Sequence, residues 1–190
     1  MFNVANQLTL LRIIFIPLLV LIYYSSLEWR YFLSALLFGL AGLTDWLDGY
    51  IARKYEMTTA FGAFLDPVAD KLMVAVALAL LIESNGNVWF TLPATVIICR
   101  EILISALREW MAELGKRANV AVSQIGKVKT TIQIISIIIL LAFTEEAYPL
   151  LNLLGYFAIY IAAILTLWSM LVYIRAAWPS LMGTEDKLES

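Results

Sequence analysis

Histidine is absent from this 190-residue chain and cysteine occurs once, at Cys99. The first absence removes imidazole ligands and imidazole acid/base chemistry. The second removes any intrachain disulfide and any cysteine cluster for zinc. Charge is scarce as well: 15% of the residues are charged, and 13 basic against 15 acidic residues leave a formal net charge of −2. That balance argues against a surface built for a polyanion, so no nucleic-acid partner is expected. Metal chemistry in such a chain must use oxygen ligands, which suit hard cations such as Mg²⁺ or Mn²⁺.

What the chain does contain is apolar sequence, with 62% hydrophobic residues and a mean hydropathy of +0.85. This composition lies outside the soluble range and predicts an all-α integral membrane protein. At roughly 20 residues per spanning helix the length suits about six spans in one transmembrane domain over 1–190, with no room for a second. Apolar stretches at about Leu8–Tyr24, Tyr31–Ala52, Gly62–Ile82, Val88–Met111, Gly126–Phe143 and Leu150–Ala176 supply them. Turn chemistry separates them at Ser25-Ser26, Thr58-Thr59, Ser84-Asn85-Gly86-Asn87, Gly115 to Ser123 and Thr144 to Pro149. Met1 to Asn6 lacks the basic start of a secretory signal and no small-residue cleavage site follows, so the first apolar run reads as a retained span. No internal repeat of the inverted-transporter kind is visible.

Basic residues set the orientation. Arg53, Lys54, Lys116, Arg117, Lys127, Lys129, Arg175 and Lys187 fall on one side, whereas the other holds Arg30 with Glu28, Glu83, Glu145 and Glu146. The positive-inside rule then places both termini in the cytoplasm, with Trp29, Trp89 and Tyr148 at the outer interface and Trp110 and Trp178 at the inner one. Cys99, in an apolar run, reads as a buried filler.

Ionisable groups inside apolar spans cost about 2.5 to 3.5 kcal/mol each on insertion scales and call for a functional or pairing explanation. Asp45 and Asp48 lie three apart near the end of span two; Asp66 and Asp70 lie four apart near the start of span three. Each spacing puts its pair on one helix face. A short loop makes the two helices antiparallel neighbours, so four carboxylates can converge at one depth. They would repel unless cations sit between them, and one or two Mg²⁺ or Mn²⁺ ions are the economical solution. Pairing with Arg53 and Lys71 in a water-filled vestibule is the competing explanation. Pro67, between the second pair, implies a first-turn position or a kink. The small residues Gly39, Ala41, Gly42, Gly49, Ala52, Gly62 and Ala63 permit close approach of a bulky ligand, or plain helix packing.

Together these residues read Asp45-x-x-Asp48-Gly49-x-x-Ala52-Arg53, eight further residues, then Gly62-x-x-x-Asp66-x-x-x-Asp70. The string resembles, position for position, the signature of the CDP-alcohol phosphatidyltransferase family. That resemblance implies a six-span, usually dimeric membrane enzyme that displaces CMP from a CDP-alcohol with the hydroxyl of an acceptor. It implies that Asp45, Asp48 and Asp66 ligate the metal, two ions in all, with Asp70 contributing to the metal site and serving as general base. It also implies that Gly49, Ala52, Arg53 and Gly62 line the cytidine nucleotide pocket, with Thr58 a weaker candidate.

The acceptor is read from basic residues elsewhere. Arg100 and Arg108 lie in span four and Lys127 and Lys129 open span five, a set suited to a phosphate monoester. Pairing of Arg100 with Glu101 or Glu109, and snorkelling of the two lysines to the interface, are the alternatives. The stretch from Arg100-Glu101 through Arg108-Glu109-Trp110 to Gly115-Lys116, then Gly126-Lys127-Val128-Lys129-Thr130-Thr131, resembles the bacterial branch of the family that uses sn-glycerol 3-phosphate. So does Asn6-x-x-Thr9-x-x-Arg12, whose residues share one helix face. These three could touch nucleotide or lipid phosphate, although a helix cap at Asn6 and an anionic-lipid contact at Arg12 fit equally. The resemblance implies CDP-diacylglycerol, glycerol 3-phosphate and CMP as ligands, a homodimer among membrane lipids, and a place in the bacterial cytoplasmic (inner) membrane. Another acceptor, inositol phosphate or the head group of a second lipid, and a divalent-cation transporter are the rival readings.

Overall fold

The computed structural model describes residues 4–55, 60–113 and 124–181, and among them every regular element is a helix. In chain order these are α1 (Val4–Tyr23), α2 (Arg30–Tyr55), α3 (Ala60–Asn85), α4 (Val88–Glu113), α5 (Gln124–Ala142) and α6 (Pro149–Leu181). The six expected helices are all present, and α6 runs five residues past its expected end.

The boundaries follow from local chemistry. Gly86, at φ +56°, closes α3 in the left-handed conformation that glycine adopts without penalty, and its N–H donates to the Ile82 carbonyl (3.1 Å). Directly after it, Asn87 caps α4: its Oδ1 accepts the Phe90 N–H at 2.8 Å. Pro149 opens α6, where its missing N–H costs no helical bond. Pro67 lies well inside α3, so the first-turn alternative does not hold. Pro17 and Pro93 are likewise interior, in α1 and α4.

α4 and α6 each carry an unbroken window long and apolar enough to cross a bilayer, and α1 and α5 hold the shorter apolar stretches Gln7–Tyr23 and Val128–Ala142. In α2 and α3 carboxylates fall within the helices themselves, which interrupts such a window. Burial separates inside from outside in the manner of a lipid-embedded protein. On α6 the large side chains Leu153, Phe157, Ile164 and Trp168 are exposed, while Asn152, Gly155, Ala162, Ala163 and Thr166 face inward. Where the surroundings are hydrocarbon, apolarity no longer drives a side chain inward, and small or hydrogen-bonding residues form the interfaces. Cys99 illustrates the same point: it is exposed rather than buried, because an apolar residue on a lipid-facing stripe has no reason to turn inward.

α1 packs on α2 and α3, α2 on α5, α5 on α6, and α6 on α4. The α5–α6 crossing is the closest in detail. A Cβ on Gly155 would stand 2.7 Å from Leu140 Cγ, and the Ser136 hydroxyl donates to the Gly155 carbonyl at 2.8 Å. The shared core holds Leu19, Phe38, Leu78, Ile97, Ile137 and Ile159. Asn152 ties the α6 start to the end of α5 through the Phe143 carbonyl (2.8 Å), and Tyr156 donates to Asn85 (2.6 Å) while accepting from Asn87 (3.0 Å). The end of the bundle carrying the α3–α4 turn is thereby fixed by hydrogen bonds, and the buried cations Arg12 and Lys129 with Asp45, Asp66, Asp70 and Glu101 lie away from it.

Candidate active site

Three helices bring one guanidinium and three carboxylates together. On α1, Thr9 and Arg12 are three apart and so project from one face; both are about 1% exposed. Asp45 comes from α2, and Asp66 and Asp70, four apart, from α3. Arg12 Nη1 lies 3.0 Å from Asp45 Oδ1 and also donates to Asp70 Oδ1, while Nη2 stands 3.7 Å from Asp66 Oδ1. The Thr9 hydroxyl donates to the same Asp66 oxygen. The carboxylates are 46%, 40% and 42% exposed in the order Asp45, Asp66, Asp70, so each presents an oxygen edge outward from a buried cation.

The expected carboxylate convergence is therefore present for three of the four residues, with Arg12 at its centre. The sequence offered Arg12 as a substrate or lipid contact, not as this counter-ion. Lys71, weighed as a partner for the aspartates, instead donates to Ser105 on α4. Asp48, Gly49, Ala52 and Arg53 lie on the last turns of α2, but their side-chain surroundings fall outside the described residues, as do the side chains of Asn6 and Lys127 and the whole of Thr58. Gly62 is buried near the start of α3.

Beside the cluster is a cavity of about 120 Å³ lined by Arg12, Asp45 and Asp70 with Gly42, Thr130 and Gln133. Thr130 and Gln133 were not singled out from the sequence as cavity residues. The available signal was spacing, since Gln133 lies four residues after Lys129 and shares its helix face. Among the described residues no three carboxylates close on a common point at metal-ligating spacing, because the guanidinium holds that place. The chemistry of the donor set, ionised oxygens around a single positive group, nonetheless fits a hard divalent cation.

A second ionic group forms among α4, α5 and α6. Glu101 Oε1 accepts from Lys129 Nζ at 2.7 Å and from Arg100 Nη1 at 3.1 Å; Arg100 Nη2 donates to Ser169 Oγ at 3.0 Å. Lys129 is 3% exposed, so it is not a snorkelling residue. Arg100 Nε is buried with no partner among the described residues. Arg108 stands apart: its Nε donates to Tyr173 Oη at 2.9 Å, and its guanidinium lies 5.3 Å from that ring's centroid. Arg100 and Lys129 are thus brought together, by the glutamate foreseen as a partner for Arg100 alone, while Arg108 faces outward on the α4–α6 seam.

Comparison with known proteins identifies the family. Residues 2–168 match the model of a family described as CDP-alcohol phosphatidyltransferase. A Pseudomonas fluorescens protein is 54% identical over 180 residues, spanning 94% of this chain and 92% of that protein. A Pectobacterium atrosepticum protein is 54% identical over 176 residues (93% and 95%), and an Escherichia coli K12 protein 51% identical over 185 residues (95% and 98%). All three carry the name CDP-diacylglycerol--glycerol-3-phosphate 3-phosphatidyltransferase. Carboxylates from two successive helices, set in the sequence pattern of that family and matched along 167 residues, make this chain a member of the CDP-alcohol phosphatidyltransferase family.

Proposed function

We propose that this protein transfers the phosphatidyl group of CDP-diacylglycerol to sn-glycerol 3-phosphate, giving phosphatidylglycerophosphate and CMP. The observation that carries the reading is the convergence of Asp45, Asp66 and Asp70 on one cavity edge, in a chain whose relatives at 51 to 54% identity bear that enzyme's name. In the reaction the acceptor hydroxyl oxygen forms a bond to the β-phosphorus, the phosphatidyl one. The bond from that phosphorus to the bridging oxygen breaks, and CMP leaves with the electron pair. Asp70, at the cavity edge, takes the hydroxyl proton; a positioned general base contributes about 10²- to 10⁴-fold. Arg12 and Thr9 hold Asp45, Asp66 and Asp70 in register, which fixes the base relative to the incoming hydroxyl.

Asp45, Asp48, Asp66 and Asp70 are the residues to hold Mg²⁺ or Mn²⁺, two ions by the family resemblance. Held by these carboxylates, such a cation would supply charge neutralisation for the pyrophosphate and the departing CMP. Gly49, Ala52, Arg53, Thr58 and Gly62 form the nucleotide side, with Asn6 near the lipid phosphate. Arg100, Arg108, Lys127 and Lys129 supply positive charge for the acceptor phosphate, an arrangement supported by the two cations already gathered at Glu101. The enzyme works as a homodimer in the bacterial inner membrane, with both termini and the cavity facing the cytoplasm, as the basic loops favour.

The test is CMP release by the purified full chain in detergent with CDP-diacylglycerol and Mg²⁺ or Mn²⁺, with and without glycerol 3-phosphate. Release that requires both metal and glycerol 3-phosphate is expected. Release only with another alcohol would overturn the acceptor, and no release with any acceptor would overturn the reaction.

A further inference from the structure

Gln133 is the one uncharged polar side chain at the cavity that is both deeply buried and incomplete among the described residues. It is 3% exposed on α5, and its Oε1 is shut off from solvent without a hydrogen-bond partner. A buried amide carbonyl left unpaired is costly, and buried polar groups in folded proteins are nearly always satisfied. Packing alone would favour leucine or methionine here, on a helix otherwise rich in isoleucine. The side chain instead lines the same cavity as Arg12, Asp45 and Asp70. An amide oxygen accepts and cannot donate, so what completes it must bring an N–H or O–H.

We propose that Gln133 is a specificity-determining residue that accepts a hydrogen bond from the non-attacking hydroxyl of the acceptor. The inference rests on the phosphatidyl-transfer reading and adds to it the group that recognises a diol. Lys129 and Gln133 are one helical turn apart, about 6 Å along the axis, so a three-carbon acceptor with its phosphate toward Lys129 passes Gln133 with its middle carbon. With the phosphate near Lys129 and the primary hydroxyl at Asp70, the secondary hydroxyl of glycerol 3-phosphate runs alongside Gln133. The cavity volume of about 120 Å³ is of the scale of such a small polyol phosphate. A site built around a hydroxyl rejects the analogue that lacks it, because the buried acceptor is then stranded.

The experiment compares glycerol 3-phosphate with 3-hydroxypropyl phosphate, which keeps the phosphate and the attacking hydroxyl but lacks the secondary one. CMP release is measured with the full chain, CDP-diacylglycerol and Mg²⁺. The parent protein is expected to favour glycerol 3-phosphate in kcat/KM by roughly 10- to 100-fold. In Gln133→Met that ratio should collapse to within a few-fold, mainly through a higher KM for glycerol 3-phosphate, while 3-hydroxypropyl phosphate is used no worse than by the parent. Gln133→Glu, which keeps an acceptor oxygen at similar size, should retain the preference and serves if the methionine variant does not fold. Equal use of both substrates by the parent, or an equal loss on both in Gln133→Met with the ratio intact, overturns the assignment while leaving the reaction standing. Absence of CMP release by the parent with any acceptor overturns the reaction and this inference with it.

Discussion

The two ionic groups of this bundle are built to opposite plans. Among α1, α2 and α3, one buried guanidinium is shared by three half-exposed carboxylates; among α4, α5 and α6, one carboxylate is shared by a buried ammonium and a guanidinium. Counting the described side chains, the first is left with an excess of negative charge and the second with an excess of positive charge. An excess of one sign favours a ligand of the other, so on the proposed reading each group is a socket for a ligand of the missing sign. On the proposed reading, a divalent cation would complete the first and a phosphate monoester the second. Arg12 and Glu101 hold the side chains of their respective groups together.

The largest effect should come from the first group. Asp66→Asn or Asp70→Asn is expected to lower CMP release by about 10²-fold or more, with helix content and oligomeric state unchanged. Normal turnover in either variant would mean the negative excess has no catalytic use. Next is Arg12→Met, which leaves Asp45, Asp66 and Asp70 without their shared cation. A loss of about 3 kcal/mol is expected, at the low end for a broken buried pair because the carboxylates are partly exposed. Thermal unfolding in detergent measures it, and Mg²⁺ should restore more stability to the variant than it adds to the parent. An equal Mg²⁺ response in both would break the comparison.

These two groups differ in how far the sequence announced them. The aspartates were legible because carboxylates stand out in apolar helices and because their i,i+3 and i,i+4 spacings fix a shared face. The six helices were legible for a related reason, since twenty-residue apolar runs admit few other structures in lipid. Arg12 was visible as a residue but not as the centre of the cluster, because which helix lies against α2 and α3 is a matter of tertiary packing. Glu101 was foreseen only as a partner for Arg100; its contact with Lys129 spans two helices, which no local spacing encodes. Gln133 and the exposure of Cys99 were hidden for a third reason: in a membrane protein, apolarity does not tell the inside of a helix from the lipid face. Only the folded chain shows that Gln133 turns toward a cavity while Ile135, two residues on, is exposed.

A smaller effect is expected from Glu101→Gln, the counterpart of Arg12→Met in the second group. Its loss leaves Lys129 beside a neutral amide and should cost about 2 kcal/mol, the scale of a hydrogen bond to a charged group. Inorganic phosphate should then raise the unfolding temperature of the variant more than that of the parent, because it restores the missing anion. Mg²⁺ should not do so, and a gain from Mg²⁺ instead of phosphate would show that the second group does not select anions.

The smallest effect separates anion binding from mere packing. Ser169→Ala removes the hydroxyl that receives Arg100 Nη2 at 3.0 Å but leaves the Arg100–Glu101 bond at 3.1 Å in place. One such bond contributes about 1 kcal/mol, equivalent to roughly five-fold in an equilibrium constant. If Arg100 serves the acceptor phosphate, that factor appears as a higher KM for glycerol 3-phosphate with kcat nearly unchanged, since the interaction is made equally before and during transfer. Tyr156→Phe is the matched control. It deletes hydrogen bonds to Asn85 and Asn87 at the other end of the bundle, so it should lower the unfolding temperature without moving that KM. A KM shift in Tyr156→Phe as large as that in Ser169→Ala would assign the Arg100 network to stability alone. A shift confined to Ser169→Ala would tie the positive excess of the second group to the substrate that the first group activates.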